Sequence, residues 1–442
     1  MLDWLRRVLR PQGAETVPRA FTKKNALGVL CFALVFCLLF AGAERLLYSD
    51  TVFSSTWNRI RERGDVPQVL ILGNSHAFCS FVPDILGGAL GMDAAVLGAS
   101  GQNSAGTTDS FEAALEKGAP RLAIVELNAF YYDYDLMRTQ HKSAALGNIN
   151  GMPGALRRAK AAWRELGFEN IPQGMFQLLR SDLMWSRWAD LLKRDGNANR
   201  YAGPDTLGYS YMNWHAAGHY DAARMQTDAV ALRRDAAPIP LDARNEAELR
   251  RLLRLAGKNG VELWLVKTPT ALKSAEEAGK LAYVRKVARQ EGAAAIVHDF
   301  HENVEDMGLA IEDFYDGGHL SRSGAAKFTE YFTGWMGERI GVTPDFTRAF
   351  AYRGERVEPE DGGSRFTMLA YGKDVRYRFV WKDGAEERLA ADWSEINSVT
   401  LPLAPENADE LYVSMCPAGL LEQAGTYALT LPFMVDNACV LK

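Results

Sequence analysis

The sequence predicts an α/β fold, a parallel sheet with helices on both faces. Short apolar runs at 68–72, 93–97, 121–127, 261–267 and 294–300 read as strands, with helical stretches between them, and strands alternating with helices imply that layering. The run Val69-Leu70-Ile71-Leu72 is entirely aliphatic and halts on Gly73-Asn74, the pattern of a strand buried on both faces. At 442 residues the chain exceeds one ordinary domain, so further units are expected.

The helices are legible by spacing. In 242–258, Leu249, Leu252, Leu253 and Ala256 recur at helical intervals, and Asn259-Gly260 ends the element. Downstream, Ser323 is placed to cap a helix whose Phe328, Tyr331, Phe332, Trp335 and Met336 make one apolar stripe, read as core.

Residues 1–24 carry Arg6, Arg7, Arg10, Arg19, Lys23 and Lys24 against Asp3 and Glu15, and Ala26 to Ala43 follow without a charge. Eighteen such residues just cross a hydrocarbon core of about 30 Å. The basic flank places the N-terminus in the cytoplasm and the rest of the chain outside. The preferred reading is an uncleaved single-pass anchor; the rival is a signal peptide cut at Ala41-Gly42-Ala43. The expected organisation is a cytoplasmic basic segment at 1–25, a transmembrane anchor at 26–43, an α/β domain at 44–345 interrupted at about 129–240, and a β-rich domain at 346–442.

Hydrophobic residues make up 48% of the chain, enough for a packed core, and the net charge is −5. Without a basic stripe interleaved with aromatics, no nucleic-acid partner is expected. Cys31 and Cys37 fall in the apolar span, Cys416 and Cys439 are available to pair in an exported chain, and Cys79 is left over. Their spacing supports no structural zinc site and no metal or other cofactor is expected.

The interruption is rich in aromatics, among them Tyr131, Tyr132, Trp163, Trp185, Trp188, Tyr201, Tyr209, Tyr211, Trp214 and Tyr220. Two readings stand: a cap over the carboxyl edge of the sheet that stacks on sugar rings, or aromatics packing a small core. His215 and His219 have the i, i+4 spacing of a metal pair, with Asp221 the one acidic neighbour, too few ligands for a site. From 346, runs at 376–381, 398–403, 410–415 and 426–434 with a turn at 382–385 suggest a small β-sandwich. It would bind glycan, dock a partner, or serve as a structural appendage.

Two stretches carry chemistry. Ser75 lies just past the carboxyl end of the first strand, where open α/β sheets bind ligands. Asp316-Gly317-Gly318-His319 supplies an imidazole and a carboxylate from one loop; a serine hydroxyl becomes nucleophilic when an imidazole takes its proton and a carboxylate orients that imidazole. Adjacent side chains in a turn point apart, so His76, beside the serine, is read as a rim residue, with contact to substrate the lesser reading.

Four motifs in order resemble the SGNH/GDSL hydrolase family over roughly 65–340. They are Gly73-Asn74-Ser75-His76, with Asn where the better-known form has Asp; Leu97-Gly98-Ala99-Ser100-Gly101; Ile124-Val125-Glu126-Leu127-Asn128, which departs from the family's Gly-x-Asn-Asp; and Asp316-Gly317-Gly318-His319. The resemblance implies a flavodoxin-like three-layer sandwich with a five-stranded parallel sheet. It also implies catalysis by Ser75, His319 and Asp316, with an oxyanion hole from the amides of Ser75 and Gly101 and the side chain of Asn128. It is nearest to membrane-anchored extracytoplasmic members, including proteins of D-alanyl transfer to teichoic acid and of alginate O-acetylation. From them follow the expected partners: an acylated carbohydrate substrate and, for a transferase, a multi-span acyl exporter. The expected function is thus a serine esterase or O-acyltransferase on cell-surface polysaccharide; the sequence leaves water and sugar hydroxyl open as acceptors. The alternative is a catalytically silent scaffold that keeps the shell to bind glycan or assemble an envelope complex. A phosphodiesterase is disfavoured, since neither a metal cluster nor a phosphate-cradling loop is present.

Overall fold

The computed structural model describes residues 23–47, 51–180, 209, 236–271, 275–383, 386–402, 411–424 and 429–433. The chain divides into two units, one ending at Tyr48 and the other beginning at Ser49. In the first, α1 (Lys23–Leu47) is a single helix. Its stretch Ala26–Arg45 has a mean hydropathy of 2.6, the length and composition of a membrane span, which a signal sequence shares. Leu30, Phe32 and Leu39 are exposed along it.

The second unit runs α2 (Val52–Arg63), β1 (Val69–Gly73), α3 (Ser75–Phe78), α4 (Pro83–Leu90), β2 (Ala94–Gly98), α5 (Ser104–Leu115) and β3 (Leu122–Glu126). Next come α6 (Asn128–Tyr131), α7 (Tyr134–Gln140), α8 (Lys142–Gly151), α9 (Ala155–Leu166) and α10 (Ile171–Met175). Beyond 240 follow α11 (Ala243–Lys258), β4 (Glu262–Lys267), α12 (Ala275–Gln290), β5 (Ile296–Asp299) and α13 (Arg322–Ile340). The five strands are parallel in the order β2-β1-β3-β4-β5. The chain turns to opposite sides of β1 for β2 and β3, and the crevice at such a switch point is where these sheets take ligands.

Because successive strand residues face opposite ways, the aliphatic runs supply two cores at once. Leu70, Leu72, Val125 and Leu265 pack against residues of α2, α5, α11 and α12. Val69, Ile71, Ile124 and Trp264 pack on the other face against α4 and α13. There Phe81 meets Phe328 at 5.0 Å and Phe332 at 5.1 Å between ring centroids, and Trp264 meets Trp335 at 5.1 Å. The expected stripe of α13 is therefore core: Phe328, Phe332 and Met336 are fully buried and Tyr331 and Trp335 pack at the edge.

One local expectation shifts. The cap of α13 is Ser321, not Ser323: its hydroxyl accepts the Gly324 amide at 3.4 Å. Leu320 is held extended by a bridge to Phe314, so the chain turns helical at once and Ser323 falls inside the first turn. The beginning of the 129–240 stretch packs on the sheet. Leu146, Ile149, Ala161, Ala162 and Leu166 of α8 and α9 join Phe53 and Trp57 in one sheet-face core. Tyr131 and Tyr209 are buried, while Trp163 is exposed. Trp185, Trp188, Tyr201, Tyr211, Trp214, His215, His219, Tyr220 and Asp221 lie outside the described residues.

After α13 come β6 (Ala351–Glu360), β7 (Gly363–Tyr371), β8 (Val375–Asp383), β9 (Glu386–Ser394), β10 (Ser398–Leu401), β11 (Leu411–Pro417) and β12 (Leu429–Pro432). They form antiparallel sheets β10-β7-β6 and β12-β11-β8-β9. Val357, Phe366 and Leu401 of one sheet share a core with Phe379, Leu411 and Val413 of the other. Cys416 is a buried free thiol, and its expected partner Cys439 lies outside the described residues.

Candidate active site

The site is assembled at the carboxyl edge of β1, β3 and β4. Gly73 ends β1 with φ +149°, a conformation L side chains rarely adopt. A Cβ there would sit 3.0 Å from the Ala77 Cβ and 3.1 Å from the Glu126 Cβ, so the chain passes close to β3 as it turns into α3. Asn74 caps α3, its Oδ1 accepting the His76 amide at 3.0 Å. Asn thus does the capping that Asp performs in such turns. Ser75 opens the helix, where backbone amides lack intrahelical acceptors.

His319 reaches this turn from the loop between Phe314 and α13. Its Nε2 lies 2.7 Å from the Ser75 Oγ. Its Nδ1 lies 2.9 Å from both carboxylate oxygens of Asp316. Asp316 Oδ1 also accepts the amides of Gly318 at 2.7 Å and His319 at 2.8 Å, so loop and side chain hold one another. Partial burial pushes the Asp316 carboxyl up; the His319 imidazole and the Gly318 amide overcome it and hold the carboxyl below its ordinary value. With Nδ1 engaged by a carboxylate, Nε2 faces the serine and can take its proton.

His76 is not at the rim. It is 5% exposed, and its ring tilts at 39° against His319 with centroids 4.8 Å apart. Gly318 makes room for it: a Cβ there would come within 3.1 Å of the His76 Cε1. Burial first, then the positive field of Lys267 and His319, pushes the His76 imidazole well below its ordinary value, so it is neutral.

The residues expected to bind an oxyanion lie on the same edge. Gly98 pairs with Gly73 in the sheet register, and Gly101 follows in a turn at φ +60°. Among the described residues, the amides of Ser75 and Gly101 have no hydrogen-bond acceptor. A Cβ on Gly101 would lie 3.6 Å from the Cβ of His141, an exposed residue ahead of α8. Asn128 opens α6 two residues beyond β3, buried at 2% exposure.

Two residues beside Asn128 went unassigned in the sequence. Glu126 Oε2 accepts the Asn128 amide at 2.9 Å. Lys267, the last residue of β4, places its Nζ 3.4 Å from Asn128 Oδ1 and 3.6 Å from Glu126 Oε1. Thr268 adds its amide at 3.4 Å and its hydroxyl at 3.3 Å to the same Glu126 oxygen. Burial pushes the Glu126 carboxyl above its ordinary value; burial pulls the Lys267 ammonium down, and the carboxylates of Glu126, Glu277 and Asp299 more than restore it. The available signal was a lysine closing the apolar run Leu263-Trp264-Leu265-Val266 at the functional edge of the sheet.

No family model matches the chain, and no curated protein matches it. Among solved structures, a gut microbial diltiazem-metabolizing enzyme is similar at 10% identity and a TM-score of 0.30, over 70% of this chain. The chain spans 57% of the length of that structure.

Proposed function

We propose that the protein is a serine esterase or O-acyltransferase that acts on acyl groups, acetyl foremost, of a cell-surface polysaccharide. The observation that carries this reading is the continuous path from the Ser75 Oγ through His319 to Asp316, with contacts of 2.7 and 2.9 Å. The SGNH/GDSL resemblance of the four motifs supplies the carbohydrate ester as substrate class. The basic flank and apolar α1 favour a single-pass anchor with the site outside the membrane.

In this mechanism Ser75 Oγ attacks the acyl carbonyl as its proton passes to His319 Nε2, and Asp316 stabilises the imidazolium. The tetrahedral oxyanion is held by the amides of Ser75 and Gly101 and by Asn128 Nδ2. Collapse expels the sugar alkoxide, which takes the proton from Nε2 and leaves an acyl-Ser75 ester. Water or a second sugar hydroxyl then gives its proton to Nε2 and attacks, releasing the carboxylic acid or the new ester and restoring Ser75.

The test uses the full chain in detergent with a fluorophosphonate probe and p-nitrophenyl acetate. Ser75→Ala and His319→Ala are expected to lose on the order of 10⁴- to 10⁶-fold in kcat, and Ser75→Ala to lose labelling. A folded wild-type chain that neither labels nor releases acetate, or a Ser75→Ala variant that labels equally, overturns the reading and favours the silent scaffold. Supplying an acetylated polysaccharide with an unacetylated acceptor then separates hydrolysis, read as free acetate, from transfer, read as acetate on the acceptor.

A further inference from the structure

The geometry points to Lys267, braced by Glu126, as a positioning residue that makes Asn128 a donor to the reacting oxygen; this rests on the acyl-transfer reading above. An asparagine carboxamide presents an acceptor on one side and donors on the other, and its hydrogen-bond partners decide which faces the substrate. Here the Lys267 ammonium lies 3.4 Å from one terminal atom of Asn128. An ammonium has only donors to offer, so that atom is Oδ1 and the opposite end is Nδ2. Among the described residues, the hydrogen bonds of Asn128 use its backbone amide and Oδ1, and none uses Nδ2. The backbone is held as firmly, since Glu126 Oε2 accepts the Asn128 amide at 2.9 Å. Both ends of the residue are thereby set before any substrate arrives.

The ammonium also acts on the strength of the donor. A positive charge on the carbonyl oxygen of an amide draws electron density from its nitrogen, and hydrogen bonds arranged in such a chain polarise one another in a low-dielectric interior. Lys267 is 2% exposed, so water does not screen it there. A free ammonium this close to a developing oxyanion would bind ester and acid products alike. Coupling it through a neutral carboxamide, with Glu126 alongside, retains a directional donor without an open cationic subsite. Glu126 and Lys267 occupy neighbouring strands, β3 and β4, in adjacent register positions, so the pair is built into the sheet itself.

The test is a double-mutant cycle on the full chain with p-nitrophenyl acetate. Asn128→Ala is expected to lower kcat by about 10²- to 10³-fold, the usual worth of one such donor. Lys267→Met is expected to lower kcat by roughly 10-fold or more with KM within about 2-fold, and to add little once Asn128 is already Ala. Removing one partner of a buried pair strands the other, so Glu126→Gln/Lys267→Met is made in parallel: Gln keeps an acceptor for the Asn128 amide while leaving no buried charge. That variant is expected to melt near wild type and to show the same kcat loss. A Lys267→Met or double variant with wild-type kcat overturns the inference, as does a loss that is equally large in the Asn128→Ala background, with Ser75 still labelled in the wild type. Absence of wild-type labelling overturns the acyl-transfer reading and this inference with it.

Discussion

A single atom separates Asn74 from the aspartate of the better-known motif, and the structure explains why the exchange is tolerated. The side-chain oxygen that caps α3 is common to both residues, so the turn presenting Ser75 forms either way. The sequence offered Ser75 at a strand end and Asp316 and His319 in one short loop, and the structure brings the three side chains into contact. The burial of His76 was not legible, since sequence shows its adjacency to Ser75 but not the Gly318 approach that encloses it. Its burial has a measurable consequence. The unfolded chain binds a proton at His76 below about pH 6.5, while the folded chain refuses it until well below that value. Stability attributable to this residue is therefore complete above 6.5 and declines as pH falls, by up to about 1.4 kcal/mol per pH unit. Buried Glu165, raised well above its ordinary value, pulls the other way, so the test compares variants rather than one curve. The difference in stability between wild type and His76→Gln is expected to shrink between pH 7 and pH 5; a constant difference in denaturation midpoints would show that His76 is not held neutral.

At the scale of the element, α13 both packs the core and carries the loop that bears Asp316 and His319. Its first turn lies against Asp313: a Cβ on Gly324 would fall 2.0 Å from the Asp313 carbonyl oxygen, and Lys327 donates to Asp313 Oδ2 at 2.7 Å. Gly324→Ala must therefore move helix and loop apart. We expect it to cost about 1–3 kcal/mol of stability and to lower kcat more than it changes KM, as measured by melting and by steady-state kinetics. Elements of this kind announce themselves by periodicity, and strands β1 to β5 appeared within about two residues of their observed ends for the same reason. The hairpin of β6 and β7 did not. In β6 the sequence Ala-Tyr-Arg-Gly-Glu-Arg-Val-Glu-Pro-Glu carries Gly354 and Pro359 and a register shift between Tyr352 and Gly354. Gly and Pro argue against a strand in isolation, and pairing to β7 overrides them. At the beginning of the 129–240 stretch, Leu146, Ile149, Ala161 and Ala162 cover the sheet face, and their small apolar side chains carry no signal in the sequence of which surface they meet.

For the molecule as a whole, the passage from the parallel sheet to the antiparallel ones is continuous rather than a free linker. The Asp345 amide donates to the Ala89 carbonyl at 2.8 Å, and Ala349 and Ala351 are buried in the core beneath α4 and α13. A chain ending at 345 is thus expected to melt below one ending at 351, since the shorter form uncovers α4; equal melting temperatures would place the boundary at 345. The pattern of composition marked where the β-rich region begins but not this overlap, because alanine carries no signal of what it touches. Distance along the chain has one more effect. Ser75 and the imidazole that serves it are 244 residues apart, on the first strand and the last loop of the sheet. Synthesis delivers Ser75 early and His319 late, so the two side chains meet only after nearly the whole sheet has been made. The Ser75–His319 contact therefore forms only when the last loop of the sheet closes on its first strand, and under the proposed function that order of events keeps the serine inactive until folding is complete.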